Sequence, residues 1–90
     1  MAGVLGNPLG FKGLLTSSDD ANNLSDGIYN VVNANHPANM YAANCIMIQF
    51  THKYRTDCYQ ILFEANERNI KARMKVEEGW TSWKVLFAFQ

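Results

Sequence analysis

Charge is scarce in this sequence. Charged residues make up 18% of the 90, against about 25% in an average soluble domain, and eight acidic side chains balance eight basic ones. With a pI near 6.7, the chain offers no electrostatic case for a nucleic-acid partner or for an anionic membrane surface. No apolar run approaches the roughly 20 residues needed to span a bilayer, so no membrane insertion is expected. Residues 1–10 lack the charged and apolar blocks of a signal peptide, which argues against secretion by the usual route. There are only two cysteines and two histidines, with no Cys-x-x-Cys or His-x-His pair, so neither a metal site nor a cofactor is expected. No Gly-x-Ser-x-Gly occurs and the acids are scattered on turns, which argues against an enzyme.

Amides carry the polarity instead. Asparagine occurs ten times while hydrophobic residues reach 48%, a composition suited to uncharged, hydrogen-bonding ligands or to protein neighbours. Ninety residues make one domain, and a chain of this size hides only about 60% of its unfolded surface. Its core must be thin, and oligomerisation is one way to support it.

Residues 1–15, punctuated by glycines and Pro8, hold no sustained period and read as an N-terminal arm or linker. The domain proper is expected over 16–90. Thr16-Ser17-Ser18-Asp19-Asp20 supplies N-cap residues ahead of Ala21 to Leu24, predicting one short helical turn. Strands follow at Ile28–Asn33, Cys45–Tyr54, Cys58–Ala65, Ile70–Val76 and Trp80–Phe89. The expectation is an all-β fold, a small antiparallel meander or barrel-like sheet of about five strands.

Alternation assigns faces. Ile70, Ala72, Met74 and Val76 oppose Lys71, Arg73 and Lys75, and Tyr59, Ile61, Phe63 and Ala65 oppose Gln60 and Glu64. The basic stripe is expected on a solvated face, paired across strands with Glu64, Glu67, Glu77 and Glu78. Trp83, Val85, Phe87 and Phe89 share a face, and with Tyr29 are candidates for the core or a subunit interface. Trp80 lies on the opposite face with Ser82 and Lys84, placed to stack on a sugar ring. With the hairpin turn near Arg55-Thr56, Cys45 and Cys58 lie about eight residues apart, roughly 26 Å, so two free, buried thiols are expected.

The longest loop, residues 33–44, holds Asn35, His36, Asn39, Tyr41 and Asn44. Neutral donors and acceptors beside an aromatic ring suit carbohydrate recognition. They equally suit a loop whose side chains satisfy its own backbone.

The order of Asp20-Ala21-Asn22-Asn23-Leu24, Gly27-Ile28-Tyr29-Asn30-Val31 and Gly79-Trp80-Thr81-Ser82-Trp83-Lys84-Val85-Leu86 resembles the pyocin-knob domains that end phage tail fibres and pyocin fibres. The resemblance runs from about Asp19 to about Leu86. It implies a non-enzymatic structural and receptor-binding module of a phage or prophage tail fibre. It further implies a homotrimer at the virion's fibre tip, made in the bacterial cytoplasm before assembly and lysis. Other tail proteins would be its neighbours, and a host cell-surface glycan or outer-membrane protein its target. The sequence departs from the pattern in having only about fifteen residues ahead of the domain, where family members end a long fibre, and in its extra Phe-Ala-Phe-Gln tail. Two other classes remain: a stand-alone protein-interaction module or inhibitor that binds through Phe87 and Phe89, and a single-stranded nucleic-acid-binding β domain using Lys71, Arg73 and Lys75.

Overall fold

The structure, a computed structural model, describes residues 10–40, 44–52 and 54–89. It is all-β. Seven strands form one open sheet: β1 (Phe11–Leu14), β2 (Gly27–Val31), β3 (Cys45–Thr51), β4 (Cys58–Glu64), β5 (Asn69–Val76), β6 (Gly79–Trp80) and β7 (Lys84–Ala88). From β2 onward every pairing is antiparallel between chain neighbours, except that β6 and β7 both line the far edge of β5. The expected meander is therefore present, and it does not close into a barrel.

Local chemistry explains the connections. Asp20 caps the single turn of 3-10 helix at Ala21–Asn23, its carboxylate accepting from the Asn22 amide at 2.9 Å. Glu77 and Glu78 form the two-residue turn between Val76 and Gly79, and Gly79 at φ 123° occupies a region other residues avoid. β1 is a correction to the expected strands, which began at Ile28 and left residues 1–15 as an arm or linker. Phe11–Leu14 pairs parallel to β2 and forms one edge of the sheet.

The second correction concerns which face is covered. Along β2, β3, β4 and β5 burial alternates strictly, and the buried residues are Gly27, Tyr29 and Val31, then Cys45, Met47 and Gln49, then Cys58, Gln60, Leu62 and Glu64, then Asn69, Lys71 and Arg73. This face is roofed by the irregular N-terminal segment and residues 37–40, which contribute Leu15, Ala21, Leu24 and Met40 to the core around Met47 and Leu62. Lys71 and Arg73 of the supposedly solvated stripe thus lie inside, only Lys75 is exposed, and Ile70, Ala72 and Met74 are half-buried on the opposite face. The expected Glu64 and Glu67 partners of Lys71 are present.

The third correction lies at the C-terminal strand. Residues 81–83 interrupt it, and β7 carries an extra residue, with Lys71 opposite Val85 but Ile70 opposite Phe87. Such a bulge reverses the alternation, so Val85 and Phe87 do not share a face. Trp80 and Trp83, expected on opposite faces, both lie against Arg73. Cys58 pairs with Thr51 and Cys45 with Glu64, six residues apart rather than eight. At about 3.3 Å per residue the thiols are still far beyond bridging distance, and both are free and buried.

Candidate functional site

Two features stand out on opposite faces of the sheet. The first is the uncovered face. Reading across the register, one row runs Ile28, Ile48, Ile61, Ala72, Lys84, the next Asn30, Ile46, Phe63, Ile70, Phe87, and a third Phe50, Tyr59, Met74. Every one of these is half-buried or exposed. Phe50 stacks on Tyr59 at 5.4 Å between centroids, and Phe87 meets Phe89 edge-on at 5.0 Å. Among the residues of these three rows there is no carboxylate and one cation, Lys84. At its end an open groove of about 550 Å³ is lined by Leu14, Val32, Ile46, Phe63, Phe89 and neighbours.

The second feature is Arg73, on the covered face and 8% exposed. Its guanidinium carbon sits 4.1 Å from the Trp80 ring centroid and 4.8 Å from that of Trp83, within reach of cation–π attraction from both. Its Nε donates to Gln60 Oε1 at 2.8 Å and its Nη2 to Asn22 Oδ1 at 2.9 Å. A relay of amides supports it. Gln60 Nε2 donates to Gln49 Oε1 and to the Ala21 carbonyl, both at 2.7 Å, and Gln49 Nε2 donates to the Leu24 carbonyl at 2.7 Å. Burial pushes the Arg73 pKa down to about 10, against the opposing fields of Asp20 and Cys58. Beside it a cavity of about 350 Å³ is lined by Asn39, Met40, Arg73, Thr81, Ser82 and Trp83.

Lys71, one pair along the strand, is handled differently. Its Nζ pairs with Glu64, and with Glu67 at 3.0 Å, and also donates to Asn69 Oδ1 at 3.1 Å. Burial works against its charge, but the two carboxylates outweigh this and hold its pKa above the ordinary lysine value. Glu67 is correspondingly lowered by Lys71. With Lys71 enclosed and Arg73 stacked between indoles, the three cations do not form an exposed track for phosphates.

The sequence candidates separate into three groups. Asn35 Oδ1 accepts from the Ser17 amide at 3.1 Å, Asn44 Oδ1 accepts from the Asn33 amide at 2.8 Å, and His36 Nδ1 lies 3.2 Å from the Asn33 carbonyl. Asn44 and His36 thus bond to the loop's own backbone, and Asn35 to that of the N-terminal segment roofing the sheet. Asn39 differs: it has φ 61°, donates to Asp20 Oδ1 at 2.8 Å and lines the Arg73 cavity with Trp83. Tyr41 lies outside the described residues. Tyr29 is buried, its hydroxyl donating to the Ser25 carbonyl at 2.6 Å, and Trp83 packs on the core. Trp80 is half-buried, with its Nε1 buried and unbonded. Val85, Phe87 and Phe89 are all more than half exposed.

Sequence reasoning passed over Gln60 and Gln49 as functional residues and offered Arg73 only as part of a stripe for tracking phosphates. The signal available was polar residues in register at the centre of adjacent strands, read as solvent-facing. No group of three or more His, Cys, Asp or Glu residues able to hold a metal ion occurs among the described residues. No family model, no curated protein and no solved structure matches the chain.

Proposed function

We propose that this chain is a non-enzymatic structural and receptor-binding module of a phage or prophage tail fibre, working as a homotrimer whose subunits meet through the apolar sheet face. The observation that carries the reading is that face. Strands lie about 4.8 Å apart and rise about 3.3 Å per residue, so five positions across the sheet present roughly 500 Å² in projection. Three such faces turned inward around a threefold axis together remove on the order of 1,500 Å² from water, comparable in total with a specific interface.

Further copies of the same chain are the fitting occupant. Rows with no carboxylate and a single lysine pack against their copies around a threefold axis with little repulsion, and apolar burial drives the contact. The thin core gives the assembly a thermodynamic reason, since among the described residues only nine hydrophobic side chains are buried. The resemblance to the pyocin-knob family supplies the trimer and the fibre. In that arrangement the roofed face, with Arg73 and its cavity, points outward toward a receptor.

Light scattering on the purified chain tests the assembly. A mass near three times the 10.2 kDa subunit, falling to one subunit when Ile61 is changed to Asp, is the expected result. A monomer at every concentration overturns it. That outcome favours the stand-alone interaction module, with the groove beside Phe89 as its contact.

A further inference from the structure

The Arg73 cavity has the features of an acid-binding site. Arg73 is more than nine-tenths buried, yet among the described residues it forms no ion pair with a carboxylate. Its two hydrogen-bond acceptors, Gln60 and Asn22, are neutral amides. A buried cation without a counter-charge is costly unless something supplies the charge. Lys71, two residues away on the same face, shows the alternative arrangement, enclosed by Glu64 and Glu67.

Asp20 is the carboxylate whose field reaches Arg73. It stays outside ion-pair distance, and its Oδ1 accepts from Asn39 Nδ2 and from the Asn22 amide. A guanidinium has five N–H donors in a rigid fork. Two are used by Gln60 and Asn22, which leaves three without a protein acceptor among the described residues. Both indoles lie within 5 Å of the guanidinium carbon, and Arg73 forms part of the wall of the 350 Å³ cavity.

The rest of the wall is neutral. Ser82 contributes a hydroxyl, Asn39 an amide whose nitrogen is held by Asp20, and Trp83 a flat apolar surface beside the guanidinium. A carboxylate matches the open side of the fork in a paired, charge-assisted geometry. Hydroxyls on a ring match the amide and the serine, and the ring's apolar face matches the indole. The volume is at the small end of ligand sites, sized for one ring.

We infer that the cavity bounded by Arg73, Trp83, Asn39 and Ser82 binds a carboxylated sugar residue of the uronic-acid type, with the carboxylate on the Arg73 fork. The choice of a glycan as the source of the acid rests on the receptor-binding reading. The cavity itself does not depend on assembly, because it lies on the face opposite the apolar one.

The test is ¹H–¹⁵N NMR of the full chain titrated with glucuronic acid, with glucose, acetate and a short peptide ending in a free carboxylate as comparators. The expected result is saturable movement of the Arg73 Nε–H and both indole N–H signals, with glucuronic acid at least ten-fold tighter than any comparator. Arg73→Lys keeps the charge but removes the fork, and weakens binding ten-fold or more. Ser82→Phe, at an exposed position, fills the cavity and abolishes binding with Arg73 in place and the melting temperature unchanged. Absence of movement overturns the inference. Equal affinity for acetate reduces the site to an anion contact, equal affinity for glucose removes the carboxylate from recognition, and equal affinity for the peptide replaces the sugar, each against it. Binding of glucuronic acid by a monomer leaves this inference standing while the assembly reading fails; a trimer that ignores it does the reverse.

Discussion

On the covered face of the sheet Gln49, Gln60, Glu64, Lys71 and Arg73 are buried, while one residue along each strand Ile48, Ile61, Ile70 and Met74 remain partly in solvent. An antiparallel sheet with one solvated side ordinarily shows the opposite division. The polar face is affordable only because its groups bond to one another: amide to amide, Lys71 to two carboxylates, Arg73 to amides and indoles. The apolar face has no such internal solution, since its only remedy is another surface. The comparison teaches that satisfied polar contacts close one side of this sheet, while the other side, left apolar and partly in solvent, is the one the proposed assembly would cover.

Breaking the polar side has the largest expected effect. Lys71→Met leaves Glu64 buried without its cation and should cost about 3–5 kcal/mol, whereas the double change Lys71→Met with Glu64→Leu should recover most of that. Urea unfolding of the three proteins gives the numbers. If the single and double variants are equally unstable, the charge is not what matters there.

Leu62 and Ile61 are neighbours on opposite faces. Leu62, fully buried, should lose about 2–5 kcal/mol on change to Ala, independent of protein concentration. Ile61→Ala should lose less, and the loss should grow with concentration as the parent assembles and the variant does not. Parallel melting curves at two concentrations separate the faces. Concentration-independent losses at both positions would mean that the open face has no partner.

Cysteine chemistry sharpens the view of the covered side. Burial, with Glu64 adding to it, pushes the Cys45 thiol up from 9.0 to about 11, so at pH 8 its thiolate fraction is about 100-fold below that of the unfolded chain. Alkylation followed by mass spectrometry should find Cys45 protected until urea is added.

The smallest effect is on acid stability. Asn39 and the Asn22 amide lower Asp20, and Lys71 lowers Glu67. A depressed carboxylate stabilises the fold above its unfolded pKa and loses that contribution as pH falls through its folded one. The melting temperature should therefore hold steady from neutrality to about pH 5 and fall below pH 4.5, the ordinary Glu67 value. Glu67→Gln should blunt the first part of the fall, and an unchanged profile would remove Glu67 from the account.

Much of this fold was legible in the residues. Ile28, Cys45, Cys58, Ile70 and Trp80 each begin or nearly begin an observed strand, and Asp20 caps the turn its neighbours suggested. Alternation separated the two faces of β4 and β5 correctly, but period two says nothing about which face is covered. That depends on where residues 15–24 and 37–40 fold back, and such contacts are distant in sequence. β1 escaped because Phe-Lys-Gly-Leu is too short for a pattern and its partner β2 is parallel, with no turn to announce it. The face swap after Val85 follows from a bulge that adds one residue opposite Ile70 and Lys71. The Arg73 cavity was hidden for the same reason as the faces: Asn22, Asn39, Arg73 and Trp83 converge from four separate stretches of chain.

The chain has two tryptophans, and both lie against the one guanidinium of Arg73. Its tryptophan emission, excited apart from that of the tyrosines, therefore originates at a single point of the molecule. Emission will report the docking of the last hairpin onto the roofed side and will be nearly blind to events on the apolar side. Intensity and scattered light are thus two independent clocks, one timing closure within the chain and the other any gain in mass that the proposed assembly brings.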